Sequence, residues 1–285
     1  MIVWLASYQK SGNTLLRSML ASYFFSSDGV FNFDLIKNIK QFPDINLFKD
    51  SDINTDDEDE VIKNYIKVQK KISKKNSLQF LKTHSYLFNF YNKYPFTNLE
   101  NSLGVIYIVR DPRNVVTSFA NFQNLTVENA ANIMINQIFM GGDKNSKRAS
   151  DQIKVWTGNW SNHYNSWKSF KENKKYLLIK YEDLINKKET TFLNVLKFIH
   201  KLKNIKFLIN QKKFTNVLTS TSFENMKKLE TEKGFAEASI NEMTKKKIRF
   251  FDLGHKRDWN NTLDLEIKKK LENSFRKEMI ELGYL

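Results

Sequence analysis

The chain has 285 residues, with 46 lysines and arginines against 31 aspartates and glutamates, and no cysteine. That length can bury one large core, and the missing thiols exclude a disulfide framework, a thiolate metal site and a cysteine nucleophile. Only seven of the basic residues are arginine and the lysines are scattered, so the formal charge of +15 reads as a solvated surface that attracts polyanions, not as a nucleic-acid face. No apolar run approaches the roughly 20 residues of a membrane span. Met1 leads almost directly into an apolar strand without a secretory leader, so the expected compartment is the cytoplasm.

Met1 to Thr14 predict a buried strand running into the loop Ser7-Tyr8-Gln9-Lys10-Ser11-Gly12-Asn13-Thr14. A helix follows, with Leu15, Leu16, Met19, Leu20, Tyr23 and Phe24 on one face. Such a turn gathers backbone N–H groups at a helix N-terminus, where the dipole favours an anionic oxygen cluster, and Lys10 adds a full positive charge. The nucleotide-triphosphate loop Gly-x-x-x-x-Gly-Lys-Ser/Thr does not fit, because Lys10-Ser11 precedes Gly12.

Further along, the acidic run Asp50–Glu60 and the lysine-rich stretch Lys63–Lys75 predict an exposed loop leading into a solvated helix. A strand over Leu78–Thr83 ends in Lys82-Thr83-His84. A histidine there can act as a general base near neutral pH, although a lone histidine after a strand is more often a structural residue. The strand Gly104–Val109 leads into Arg110-Asp111-Pro112, where aspartate before and proline at a helix start are good capping chemistry. Ser118 lies two turns on. From Phe122 to Ser150 the chain turns polar and carries Gly141-Gly142, which predicts a mobile lid or substrate loop. Trp160 and Trp167 read as core residues, and His163 between them reads either as a contact to the acceptor or, the preferred reading, as a satisfied helical histidine.

The strand Tyr176–Lys180 precedes Tyr181-Glu182-Asp183-Leu184, whose acids suit the cap of a following helix. Helical spacing appears at Phe192, Val195, Leu196 and Ile199, and again at Ile267, Leu271, Phe275, Met279 and Leu282. Between these helices, Thr219 to Met226 reads as an N-cap followed by a core aromatic. Strands separated by helical stretches imply an α/β fold: one domain over residues 1–285, with a central parallel sheet covered by helices on both faces. Ligands bind such sheets beyond the carboxyl ends of the strands, where every motif above sits. Four histidines without close carboxylate spacing suggest no metal site.

Taken together, Lys10-Ser11-Gly12-Asn13-Thr14, Lys82-Thr83-His84, the string Tyr107–Ser118, Tyr181-Glu182-Asp183-Leu184 and Thr221-Ser222-Phe223-Glu224-Asn225-Met226 resemble the soluble sulfotransferases. Those enzymes use 3′-phosphoadenosine 5′-phosphosulfate (PAPS) and share a P-loop-like α/β fold. The resemblance implies that Lys10, Ser11, Gly12, Asn13 and Thr14 hold the 5′-phosphosulfate, that His84 is the catalytic base, and that Lys82 meets the transferring group. It implies further that Arg110 and Ser118 grip the 3′-phosphate, that Tyr181, Thr221, Phe223 and Met226 surround the adenine, and that Gly254 belongs to the loop closing over the phosphate.

The chain departs from that pattern in two places. Ser85-Tyr86 replaces the usual Leu-Pro after the histidine, and Asp252-Leu253 stands where an Arg-Lys pair is expected, with Arg257 in place of a second glycine. Lys256, Arg257 or Arg249 would then supply the lost charge. The expected acceptor is a small molecule with a hydroxyl or amine, in a pocket shaped by residues 26–77 and 119–160. The product is adenosine 3′,5′-bisphosphate (PAP), without a metal, and neither a nucleic acid nor a membrane is an expected partner. The alternatives are a P-loop nucleotide or metabolite kinase, a non-catalytic nucleic-acid-binding protein, and a relative that kept the fold but lost full cofactor binding.

Overall fold

The computed structural model describes residues 1–49, 51–73, 78–144, 146, 151–239, 246–252, 254 and 258–285. Among them are nine strands: β1 (Ile2–Ser7), β2 (Lys40–Gln41), β3 (Gln79–Thr83), β4 (Asn89–Phe90), β5 (Tyr94–Pro95), β6 (Ser102–Val109), β7 (Phe139–Gly141), β8 (Lys154–Trp156) and β9 (Tyr176–Lys180). Five form a parallel sheet in the order β2-β3-β1-β6-β9, with Trp4 opposite both Leu81 and Val105. The pairs β4-β5 and β7-β8 are small antiparallel hairpins.

β1 is buried along its whole length because the sheet is covered on both sides. Alternation divides its side chains. Ile2, Trp4 and Ala6 face one core, together with Val105, Tyr107 and the aromatics Phe42, Tyr65, Phe96 and Trp167. Val3 and Leu5 face the other, against the helix Asn13–Phe25 and the helix Lys188–Leu202, where Phe192, Val195, Leu196 and Ile199 all turn inward as their spacing predicted. Trp4 sits among Phe42, Phe96 and Trp167, with its indole N–H donating to the Ser102 hydroxyl at 2.9 Å.

Several local expectations are corrected. The acidic run, expected as a loop, ends inside the helix Glu58–Lys63, and the lysine-rich stretch continues as the helix Tyr65–Ser73, which is not fully solvated: Tyr65, Val68 and Gln69 are buried. The Gln69 amide donates to the Phe96 carbonyl at 2.6 Å and accepts from the Thr97 hydroxyl, so a polar residue anchors the face that lysines outnumber. The polar region after Phe122 holds a helix, Val127–Asn136, with Ala130, Ala131 and Met134 buried, followed by β7 and β8. Small residues fit this helix tightly against the Pro112–Gln123 helix, which polarity alone did not reveal. The C-terminal periodicity is split at Phe275 into the helices Leu265–Ser274 and Arg276–Glu281, although Leu271, Phe275, Met279 and Leu282 are buried as expected.

Truncating Trp4 leaves a large hole at the centre of the sheet. Trp4→Ala should lower unfolding stability by about 3–5 kcal/mol, read as a drop in the urea midpoint at an unchanged slope.

Candidate active site

The site lies at the carboxyl ends of β3, β1 and β6, around a cavity of about 2000 Å³. The β1 loop is shaped by two residues with positive φ, Lys10 at 59° and Gly12 at 101°. Gly12 precedes the helix Asn13–Phe25, and its carbonyl accepts the Leu15 and Leu16 amides. A Cβ at Gly12 would lie 2.4 Å from the Tyr181 ring, so both the backbone conformation and the neighbouring ring require glycine. Asn13 turns its side chain back, donating to the Leu5 carbonyl at 2.9 Å and the Ser7 hydroxyl at 3.2 Å, which ties the loop to β1. The first amides of a helix have no partner within it, and Gly12, Asn13 and Thr14 line the cavity. Ser11 does not; it is buried with its hydroxyl toward the Gln9 carbonyl at 3.4 Å. The Lys10 ammonium lies 4.1 Å from the Phe122 ring centre and 4.0 Å from that of Phe250, at the cavity wall.

Arg110, leaving β6, joins three separate motifs. Its guanidinium donates to the Lys10 carbonyl at 3.3 Å and to the Gly254 carbonyl at 3.2 Å, and stacks 4.3 Å from the Tyr181 ring centre. Ser118, two turns along the Pro112–Gln123 helix, faces the same cavity. Asp111 caps that helix as its position suggested, accepting the Arg113 amide at 2.9 Å, and also pairs with the Arg113 guanidinium at 2.7 Å. Glu182 does not cap its own helix. It accepts the Asp111 amide at 3.1 Å and the Tyr284 hydroxyl at 2.9 Å, holding the Arg110 turn against the C-terminal end of the chain.

His84 follows β3 and opens on the cavity. Its Nδ1 lies 2.8 Å from the Ser7 carbonyl oxygen. A carbonyl only accepts, so Nδ1 carries the hydrogen and Nε2 keeps the lone pair. Burial first, and Lys82 second, hold the imidazole pKa well below its ordinary value, so the ring is neutral at pH 7.

Lys82 is 8% exposed and lies 3.6 Å from Glu237, which also bonds the buried guanidinium of Arg17. Burial alone would raise the Glu237 carboxyl, but Lys82 and Arg17 hold it down to about 2. Both cations and Glu237 line the cavity. Sequence reasoning assigned no role to Arg17 or Glu237. The usable signal for Arg17 was its place beside Leu16 in a helix whose first turns are almost wholly buried. Glu237 had none, since only folding carries it to β3.

At the far end of the cavity, Ser222 caps the helix Phe223–Lys233, as Thr219–Met226 suggested, and Met226 is buried among Phe31 and Phe251. Thr221 is buried, its hydroxyl donating to the Val217 carbonyl at 2.6 Å. Gly254 adopts φ 54°, and a Cβ there would meet the Phe223 ring at 2.2 Å. Arg249 lines the cavity, while Lys256 and Arg257 lie outside the described residues. Lys188 also lines this end; burial lowers its pKa to about 8, and it donates to the Leu218 carbonyl at 2.7 Å. The expected acceptor segments contribute Asn32, Phe33, Gln41, Asn46, Met140 and Val155 to the wall. His163 is a buried, satisfied helical histidine, between the Tyr107 hydroxyl and the His84 carbonyl. Among the described residues, no group of three or more metal-ligating side chains comes together and no helix is long and apolar enough to cross a membrane.

Fold and site define a P-loop-like α/β protein in which the central strand of a parallel sheet runs through a tight loop into a helix that lines the cavity. A model of the sulfotransferase domain matches residues 2–283, and the chain belongs to that family. It is 24% identical over 189 residues to the amine sulfotransferase of Oryctolagus cuniculus, covering 63% of this chain and 55% of that protein. It is 23% identical over 192 residues to sulfotransferase 2A1 of Macaca fascicularis, covering 66% and 61%. These matches thus span little more than half of the relatives' own lengths. Among solved structures, mouse sulfotransferase SULT7A1 complexed with PAP superposes with a TM-score of 0.56 at 21% identity, over 97% of this chain and 83% of that one. Retinol dehydratase in a complex with retinol and PAP gives 0.55 at 14% identity, over 98% and 81%.

Because its folded pKa is lowered, the Glu237 carboxylate stabilises the fold above the ordinary carboxylate range, and that contribution is lost as pH falls from about 4.5 toward 2. Glu237→Gln should therefore melt below the wild type at pH 7, with the gap closing on acidification. An equal gap at pH 7 and pH 3.5 would refute the ion-pair assignment.

Proposed function

We propose that residues 1–285 work as one PAPS-dependent sulfotransferase domain that moves a sulfuryl group onto a hydroxyl or amine of a small acceptor. The observation that carries this reading is the convergence of the Lys10–Thr14 loop, Arg110 and a neutral His84 on one cavity. The donor set suits PAPS. Helix amides and Lys10 match the 5′-phosphate, the Arg110 fork matches the 3′-phosphate, and the Tyr181 and Phe223 rings offer flat apolar faces to a base. When bound, that nucleotide supplies an activated sulfuryl group on a good leaving phosphate.

The chain's own residues perform the rest. His84 Nε2 takes the proton from the acceptor, its ring held in the correct tautomer by the Ser7 carbonyl. Lys82 balances charge on the sulfuryl oxygens, and the loop amides with Lys10 stabilise charge growing on the leaving phosphate. Arg110 and Ser118 read the 3′-phosphate. Asp252 and Leu253 replace the Arg-Lys pair usual in the family, and Lys256, Arg257 or Arg249 supplies that charge. The acceptor lies against residues from 26–77 and 119–160, whose lining side chains are apolar, amide and charged with both signs, among them Lys37, Lys40, Asp44 and Asp143, which favours an acceptor with both polar and apolar groups.

His84→Ala should lower kcat by roughly 10²–10⁴-fold while the PAP dissociation constant in calorimetry changes little; retained turnover removes His84 as the base. A protonated imidazole cannot accept a proton, so activity falls as pH drops through the His84 pKa. Since that pKa is lowered, the acid limb of kcat/KM should lie below the ordinary histidine value of about 6.5. Arg110→Ala should weaken PAP binding far more than binding of adenosine 5′-monophosphate, and equal losses would contradict its assignment to the 3′-phosphate.

A further inference from the structure

Residues 84–87 leave β3 as a turn with no proline to stiffen its backbone. One short helix, Trp160–Trp167, holds that segment at three points, on His84, Ser85 and Leu87. His163 Nε2 lies 3.2 Å from the His84 carbonyl oxygen. The Trp167 indole N–H donates to the Ser85 carbonyl at 3.0 Å. The Ser166 hydroxyl accepts the Leu87 amide at 2.9 Å.

The His163 link has a fixed direction. The His84 carbonyl can only accept, so His163 Nε2 carries the hydrogen and Nδ1 keeps a lone pair. The Tyr107 hydroxyl, 2.8 Å away, donates to that lone pair from the middle of β6. Burial pushes the Tyr107 phenol well up and the His163 imidazole down to about 3, so both groups stay neutral across the working range. The result is a chain of donors from Tyr107 O–H to His163, and from His163 N–H to the His84 carbonyl. His163 is fully buried and walled off from the cavity, with the Tyr8 ring edge-on at 5.9 Å, so it does not touch a substrate there.

We propose that His163 is a positioning residue for His84, fixing its backbone from the central sheet so that the ring, tied separately to Ser7, aims Nε2 into the cavity. This rests on the reading of His84 as proton acceptor. A base carried on an unstiffened turn needs both anchors, because an ångström of drift at a reacting group can cost about a hundredfold in rate. The groups facing the His84 ring are Lys82 from its own strand, Glu237 from the segment after the Phe223–Lys233 helix, Ser7 from β1 and His163 itself. Of these, Lys82, His163 and burial favour the neutral ring, whereas Glu237 and Ser7 favour its protonation.

The test uses two kinds of readout on the full chain. His163→Leu removes the donor, His163→Gln keeps an amide donor and acceptor, and Tyr107→Phe removes only the hydroxyl that orients His163. His163→Leu should lower kcat roughly ten- to a hundredfold with PAP affinity nearly unchanged, His163→Gln should recover most of that loss, and Tyr107→Phe should show a smaller loss of the same kind. The acid limb of the rate profile should move toward higher pH as His84 gains contact with water. With only four histidines in the chain, NMR titration of the imidazoles reads the His84 tautomer and pKa directly, without any assumption about the reaction. Loss of the Nδ1–H tautomer and a rise in the His84 pKa in His163→Leu or Tyr107→Phe support the proposal. If His163→Leu does not fold, the other two variants carry the test. Folded variants whose His84 resonances and acid limb match the wild type overturn it. A wild type that binds no PAP while the His84 resonances still shift would instead overturn the sulfotransferase reading and leave the positioning intact.

Discussion

Everything at the site depends on the central place of β1. Sandwiched between β3 and β6 in a parallel sheet, it brings three strand ends together: the Lys10–Thr14 loop from itself, Lys82 and His84 from β3, and Arg110 from β6. Parallel pairing is what makes this possible, since it points every carboxyl end the same way. The cost is that β1 must be apolar on both faces, which its six buried residues satisfy.

On that frame, charge is arranged in two separate ways. Arg110 uses its planar fork and its flat face together, joining the Lys10 carbonyl, the Gly254 carbonyl and the Tyr181 ring. Distant parts of the chain are thus brought together by one side chain. Deeper in, Arg17 and Lys82 are both buried cations, and the Glu237 carboxylate, more than 150 residues away in sequence, offsets their charge. The imidazole of His84 sits beside this cluster and stays neutral because burial and Lys82 outweigh Glu237.

Much of this was legible before folding. The strand–loop–helix at the start, the strands ending at Thr83, Val109 and Lys180, and the capping role of Asp111 all follow from local chemistry. Local rules failed where tertiary contacts redirected a side chain. The Tyr65–Ser73 helix looked solvated because it lies in the lysine-rich stretch Lys63–Lys75, yet a single glutamine and two apolar residues decide which face it buries. The region after Phe122 looked like a loop because asparagines and the Gly141-Gly142 pair give it a polar, flexible composition, while the face its helix buries is only Ala130, Ala131 and Met134. Glu182 seemed a helix cap by position, and the nearby Asp111 amide and Tyr284 hydroxyl took it instead.

By itself, the amino-acid order determined the opening strand–loop–helix, the strands ending at Thr83, Val109 and Lys180, and the residues with chemistry to offer at each of those ends, because strand periodicity, capping and glycine's backbone freedom act over a few residues. Tertiary structure alone decided which of those residues meet. The Glu237 ion pairs, the tautomer of His84 and the hold of His163 on its backbone each join groups tens to hundreds of positions apart. Such contacts depend on which strand lies beside which, and pairing of strands is a long-range choice that no local pattern encodes.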